Sequence, residues 1–562
     1  RSLLLTLTHL YFSRYPVAGW ARAAGPRPPT NVLTIALSSI LTLFLAADTF
    51  VFAQYKQHID FAYLQMFFSP AGREIFVFPT SLYFLACLGI VLVVALEIAI
   101  FLACRKFSSA LRYPRYLLLA SILLSTLTFN GMHAWAAFTA YTPVLVRAEA
   151  FPAFHPLTAR RLMGKLGFTQ ATTDTIPADT GTLNYPIAPI QLGAAKNNPG
   201  KPNIILVLVD SLRFDAITAE TMPRLHKRSA TAIRFKNHVS GGNATRCGVF
   251  SLFYSIPATY WHSFQHSRRP PVFMETLCAL DYEFAIFASA RLDNPEFDQT
   301  VFSGIPNLQA KTDGNSVFER DLNAQNEFLR FCADRNRSRP FFGFLFPDAL
   351  HSFQLQENAS QPFQPSWNAM NYLRLSSATD PIPIRNLYKN QLHNLDIQLD
   401  ALFSSLEQDG LMKNSIVILT GDHGQEINET HTNAWGHNSN FSRWQTQVPL
   451  LVFWPGKPPA THDHRTSHLD IVPTLLADAL GINSPVENYS FGKNLFDTSP
   501  RPFILMATYS KSAILSGDTI MTLNKYGLGA PRSFDYAQER PPISAAIIRD
   551  ALRESLRFRA VK

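Results

Sequence analysis

Ile416-Val-Ile-Leu-Thr-Gly-Asp-His-Gly424, running on through Gln425-Glu-Ile-Asn-Glu-Thr-His-Thr-Asn-Ala-Trp435 to Gly436 and His437, decides how the rest of the chain is read. The apolar, β-branched run from Ile416 to Thr420 has the composition of a strand buried on both faces of a parallel sheet. It ends in Gly-Asp-His-Gly, so a carboxylate and an imidazole emerge together at the strand's C-terminal end, where open α/β sheets place their ligands. Neighbouring residues point to opposite faces of a regular strand. Gly421 and Gly424 permit a tight turn that aims Asp422 and His423 at one divalent cation. An Asp-His pair by itself reads as a solvated strand end in most sequences that carry it, so the chemistry depends on what else the chain supplies.

The 562 residues are 47% hydrophobic and carry a formal charge of +9, and the mean hydropathy of +0.01 is high for a wholly soluble chain. Three apolar stretches explain it: 31–52, 78–104 and 116–137, each long enough to span hydrocarbon, the last interrupted by Asn130 and His133. Arg14, Arg22 and Arg27 precede the first, and Arg105, Lys106, Arg112 and Arg115 join the second to the third. The positive-inside rule puts these two connections in the cytoplasm and everything after the last span outside it. Asp48 and Glu97, inside or at the edge of the spans, read first as interfacial residues. The chain opens at Arg1 and enters the apolar run Ser2–Phe12, too short to cross a bilayer, which leads us to expect a truncated N-terminus with earlier membrane helices before it. The basic charge falls between spans rather than in a nucleic-acid motif, so no nucleic-acid partner is expected. Five cysteines, Cys87, Cys104, Cys247, Cys278 and Cys332, lack zinc spacing and require no disulfide.

Beyond the spans, His155-Pro-Leu-Thr-Ala-Arg-Arg-Leu-Met-Gly-Lys-Leu-Gly167 sets Leu157, Leu162, Met163 and Leu166 on one side of a helix, with Arg160, Arg161 and Lys165 clustered nearby. On pattern alone this is either an interfacial helix that holds anionic headgroups or a solvated charged face. Residues 168–201 lack periodicity and read as a linker. From Pro202 the pattern turns to short buried strands, 203–209, 284–288, 341–346, 416–420 and 448–454, alternating with helical segments such as 386–408. The chain therefore reads as an α-helical transmembrane region (1–138), a juxtamembrane basic helix and linker (139–201) and an α/β domain on a mostly parallel sheet flanked by helices (202–562).

Asp210 follows the first strand of that domain as Asp422 follows a later one, and carboxylates at neighbouring strand ends can converge on one cation. Between them, Ser240-Gly-Gly-Asn-Ala-Thr245-Arg-Cys-Gly-Val-Phe250 is a glycine-rich turn that puts a hydroxyl at a helix N-terminus. There the free N–H groups favour an anion and a metal lowers the hydroxyl's pKa, which makes Thr245 the candidate nucleophile.

The succession N-I-I-L-V-L-V-D-S-L-R-F-D, G-N-A-T, T-G-D-H-G, V-P-L-L-V-F-W-P-G and S-H-L-D-I-V-P-T-L-L, over residues 202–496, resembles the sulfatase and alkaline-phosphatase superfamily. True sulfatases mature the first residue of C/S-x-P-x-R. This chain has T-R-C-G-V there, lacking both Pro and Arg, so sulfatase activity does not carry over. A threonine nucleophile is similar to the branch that makes lipoteichoic acid or moves phosphoethanolamine onto lipid A. That resemblance implies one divalent metal (Mn, Mg or Zn) on Asp210, Thr245, Asp422 and His423, and a covalent phosphoryl-type intermediate on Thr245. His437 and His351 fall where such enzymes contact substrate or protonate a leaving group. His468 reads as ordering the turn before a helix, with Asp470 as its cap, and Cys247 as a small residue packed behind the nucleophile.

With the preceding spans, H-P-L-T-A-R-R-L-M-G-K-L-G, S-G-G-N-A-T-R-C-G-V-F-S-L-F-Y and W-G-H-N-S-N-F resemble the PbgA/YejM type of bacterial inner-membrane sulfatase-like protein, which has five N-terminal spans and a periplasmic domain. The resemblance implies binding of lipid A, lipopolysaccharide or cardiolipin, with Thr158, Arg160 and Arg161 matching the lipid-binding helix. It also implies regulation of outer-membrane lipid homeostasis, with an inner-membrane regulatory protein as partner. Some members have lost the Asp-His pair. Asp422 and His423 are present here, which keeps a metal-dependent phosphatase or headgroup transferase as the alternative to a purely regulatory protein.

Overall fold

Runs of apolar residues with no strong face bias fold as three helices, α1 (Pro28–Tyr55), α2 (Thr80–Lys106) and α3 (Arg115–Thr139). Two segments, Val32–Ala53 and Tyr83–Ala103, are long and apolar enough to cross a membrane. Their outward residues are large and apolar, Phe84 being 71% exposed and Leu92 60%, as hydrocarbon surroundings permit. Asp48 lies in α1 and Glu97 in α2. Both are buried; Glu97 accepts hydrogen bonds from the Ser38 and Thr42 hydroxyls of α1 at 2.9 and 3.0 Å, and Asp48 accepts the Ile59 N–H and meets His58 Nδ1 at 2.6 Å. A carboxyl in an apolar bundle must find such partners.

The computed structural model describes residues 28–55, 80–106, 115–139, 182–193 and 200–560 apart from 525 and 526, with isolated positions at 58, 59, 64, 67, 68, 144, 163 and 195. The basic-helix residues Thr158, Arg160 and Arg161 lie outside the described residues. The chain divides into two compact units, Arg1–Thr173 and Asp174–Lys562. The second takes in part of the stretch read as linker: Thr182–Leu183 pairs antiparallel with Arg559–Ala560, and Tyr185, 1% exposed, sits edge-on to Phe264 and Phe558.

The second unit is built on a seven-stranded sheet. Its strands are β1 (Asn203–Val209), β2 (Ile233–Val239), β3 (Glu283–Ala288), β4 (Phe341–Phe346), β5 (Ser415–Gly421), β6 (Leu450–Phe453) and β7 (Ala460–Ser467). They run in the order β7-β2-β6-β5-β1-β4-β3, and β6 alone is antiparallel to its neighbours. The sheet is thus mostly parallel, as the sequence predicts. Every residue of β1 and β5 is buried, because helices cover both faces.

Alternation along the strands sorts the two cores. Ile204, Leu206, Leu208, Ile416 and Ile418 pack with Phe250 and Phe253 of helix α4 (Thr245–Tyr254). On the other face Ile205, Val207, Val209, Val417 and Leu419 pack with Phe328 of α5 (Val317–Asp334) and with Leu387, Leu395, Leu399 and Leu402 of α6 (Ile382–Gln408). Beyond this sheet the strands β8 (Ile504–Ala507), β9 (Ser512–Ser516) and β10 (Thr519–Asn524) form an antiparallel meander.

Candidate functional site

β1 and β5 are adjacent and parallel, in a register that pairs Val209 with Gly421. The next residues, Asp210 and Asp422, therefore leave the sheet side by side. Between them stands Ser211, held at φ 60, with its hydroxyl donating to Asp210 Oδ1 at 2.7 Å and its N–H to Asp422 Oδ1 at 2.9 Å. The His423 N–H also donates to Asp422 Oδ1, at 2.7 Å. One oxygen of Asp422 is thereby doubly bonded, while Oδ2 is buried without a hydrogen-bond partner.

Thr245 opens α4 after the turn 240–244, which is held by the Ser240 hydroxyl bonded to the Asp422 carbonyl. The helix approaches closely because of Gly248. A Cβ at that position would lie 2.0 Å from the Asp422 carbonyl oxygen, so no larger residue admits this packing. As a result Thr245 Oγ1 lies 3.3 Å from Asp210 Oδ2 and 3.3 Å from His423 Nε2. His423 Nε2 lies 3.7 Å from Asp210 Oδ1 and 3.4 Å from Asp422 Oδ2. Since the Gly424 carbonyl can only accept, the His423 proton is on Nδ1, bonded to that carbonyl at 2.8 Å. The Nε2 lone pair then faces the carboxylates. Asp210, Asp422 and His423 are all buried and form a group that could hold a metal ion.

The electrostatics match. Burial, with the charge of Asp210 added, holds the Asp422 carboxyl well above the usual carboxylate range, and burial lowers His423 against the pull of Asp210. Two neighbouring carboxylates with an orphan oxygen and a neutral imidazole aimed at it are short of one positive charge. The mixed nitrogen and oxygen donors suit a small divalent cation.

Two further histidines reach this centre. The His437 ring is 4.3 Å from that of His423, and its Nδ1 is 2.8 Å from Gln425 Oε1; burial, then His423 and His351, lower its pKa strongly. His351, from the loop after β4, lies 5.2 Å from the His437 ring and 3.7 Å from Asp348 Oδ1. Burial opposes its protonation, but Asp210 and Asp348 raise its pKa on balance. The structure thus brings together Asp210, Thr245, Asp422, His423, His437 and His351. His468 stands apart, its ring nitrogens 3.2 Å from the Gly248 carbonyl and 3.0 Å from that of Gly421, and Asp470 forms a capping box with Ser467. Cys247 is 1% exposed and its thiol is pushed up to about 12 by burial. Ser211, Gln425 and Gly248 escape a sequence reading because nothing in their types marks them; only the Asp-Ser and Thr-x-x-Gly positions beside recognised residues hint at them.

A family profile described as Sulfatase matches residues 202–482, and one described as Domain of unknown function (DUF3413) matches residues 26–192. An uncharacterized protein of Haemophilus influenzae is 28% identical over 526 residues, covering 91% of this chain and 81% of the relative. "Inner membrane protein YejM" of Salmonella typhimurium is 23% identical over 505 residues, covering 87% of this chain and 79% of the relative. Among solved structures, a protein in the alkaline phosphatase superfamily from Vibrio parahaemolyticus superposes with TM-score 0.48 at 15% identity, over 69% of this chain and 95% of that one.

Proposed function

Because the chain belongs to the sulfatase family, as a YejM-type sulfatase-like protein, and keeps a hydroxyl beside a set of metal-type donors, we propose that the domain transfers or hydrolyses a phosphoric ester, with Thr245 as nucleophile. The observation that carries this reading is the position of Thr245 Oγ1, 3.3 Å from both Asp210 Oδ2 and His423 Nε2, beside the orphan Oδ2 of Asp422. Asp210, Thr245, Asp422 and His423 would hold the cation. A divalent ion bound there supplies Lewis acidity, lowering the hydroxyl's pKa and offsetting charge on a phosphoryl oxygen.

The remaining roles belong to the chain's own residues. Asp210 Oδ2 receives the Thr245 proton, and Thr245 Oγ1 bonds to phosphorus as the ester oxygen departs. His351, held toward its protonated form by Asp210 and Asp348, supplies the proton that the leaving oxygen takes up, and neutral His437, fixed by Gln425, lines the same side of the site. Water or an acceptor alcohol then takes the phosphoryl group and restores Thr245. The apolar helices α1 and α2 favour a substrate in a membrane, in the periplasmic leaflet of the inner membrane given the arginine distribution. Thr245→Ala should abolish phosphodiester turnover, and Thr245→Ser should keep a measurable part of it. Mass spectrometry of the stalled protein should find phosphate on residue 245, and equal turnover by Thr245→Ala would refute the assignment.

A second reading is regulatory. The likeness to YejM over 87% of the chain and the basic cluster of Arg160 and Arg161 beside Thr158 favour binding of lipid A, lipopolysaccharide or cardiolipin as a signal in outer-membrane lipid homeostasis, with an inner-membrane protein as receiver. The two readings share one ligand chemistry, a phosphate on a lipid.

A further inference from the structure

Arg246 immediately follows the nucleophile and has no role in the site described so far. Its guanidinium lies over two aromatic rings, 4.8 Å from the Trp261 centroid and 4.4 Å from that of Tyr509. Trp261 is buried and Tyr509 is 41% exposed, so one ring belongs to the core and the other meets solvent. Tyr509 comes from the turn between β8 and β9. That turn is fixed against the nucleophile loop, because Gly242 bridges Ala507 and Thr508 bonds Asn438.

Stacking restrains the guanidinium plane but leaves its edge, where the N–H donors are. Among the described residues, Arg246 pairs with one carboxylate at that edge, Glu296 Oε2 at 3.8 Å, beyond hydrogen-bonding length, and its buried Nε has no hydrogen-bond partner. Arginines elsewhere in the domain are spent differently: Arg213 bonds Asp215, Glu429 and the Gln425 carbonyl, and Arg228 bonds Asp400, Glu407 and Ser404. A guanidinium stacked on two rings, in a long ion pair with one carboxylate and with its side chain 18% exposed, keeps terminal N–H donors for an anion arriving from solvent.

We propose that Arg246 is the specificity-determining residue of the site, binding the non-bridging oxygens of a phosphoryl group through its guanidinium fork, with Trp261 and Tyr509 setting its plane. This rests on the phosphoric-ester reading and adds the residue that selects the anion. The shared chemistry is a phosphate bearing at least two free oxygens, whether inorganic phosphate or a lipid headgroup.

The test is calorimetric titration of inorganic phosphate, and separately of monomeric dihexanoyl phosphatidic acid, into the Mn²⁺-loaded full chain in detergent, comparing wild type, Arg246→Ala and Arg246→Lys. Arg246→Ala should weaken phosphate binding by about tenfold or more, the scale of a lost charged hydrogen-bonding pair. Arg246→Lys, which keeps charge and stem but not the fork, should also lose several-fold. Tighter, Arg246-dependent binding of the lipid makes a headgroup the source, and equal affinities make it phosphate itself. Phosphate binding by wild type that Arg246→Ala leaves unchanged overturns the proposal while the phosphoric-ester reading stands. A metal-loaded wild type that binds neither ligand overturns both. Should Arg246→Ala fail to fold, Arg246→Lys decides alone: unchanged affinity overturns the assignment.

Discussion

Gly248 shows how a residue without functional groups positions the chemistry. In an exposed helix, Gly→Ala adds about 1 kcal/mol of stability. Here the added methyl would meet the Asp422 carbonyl at 2.0 Å, and overpacking of this kind costs on the order of 1–3 kcal/mol. Gly248→Ala should therefore lower the melting temperature and push Thr245 away from Asp210; a variant as stable and as active as wild type would show that α4 is not seated as described. At this scale the sequence is legible where chemistry dictates residue type. Asp210, Thr245, Asp422 and His423 stand out because carboxylate, hydroxyl and imidazole follow strand ends and a glycine-rich turn. Ser211 and Gln425 do not stand out, because they act through a φ of 60 at Ser211 and a hydrogen bond to His437 that exist only after folding.

Among the elements, α5 illustrates how a helix fixes a site loop. Asp321 accepts the N–H groups of Asp348 and Ala349 at 2.8 and 3.1 Å, tying the helix to the loop that carries His351. Burial raises the Asp321 carboxyl from 3.8 to about 6, against the backbone bonds that favour its charge. With the folded value above the unfolded one, the folded chain binds more protons between pH 4 and 6. Asp321 then contributes most below pH 4, and that contribution is lost as pH rises through 6. Comparing urea unfolding of wild type and Asp321→Asn, the stability difference should shift by about 2 kcal/mol against wild type from pH 4 to 7, and parallel curves would contradict it. The strands buried on both faces, β1, β4 and β5, are legible in sequence as continuous apolar runs. The edge strand β7, reading A-T-H-D-H-R-T-S, carries no such signal, because one side faces solvent and its pairing with β2 supplies the order. The antiparallel β6 looks in sequence like the parallel strands β1 and β5, since burial alone sets its composition.

At the scale of the whole molecule, a domain with a metal-type centre shares a chain with helices apolar enough to cross a membrane, and the basic cluster 160–165 follows them. Each lysine or arginine near an anionic surface contributes about 1 kcal/mol, so Arg160→Ala/Arg161→Ala should weaken binding to cardiolipin nanodiscs by roughly 30-fold at low salt. The loss should shrink as salt rises, and unchanged affinity would remove the lipid-binding role from these residues. The central claim, that the domain's strand ends are built for a cation and a phosphoryl group, is tested most directly by the divalent metal content of the purified full chain beside Asp422→Ala. The account predicts about one metal per wild-type chain and none in the variant; wild-type protein that retains no divalent ion at micromolar concentration would contradict it.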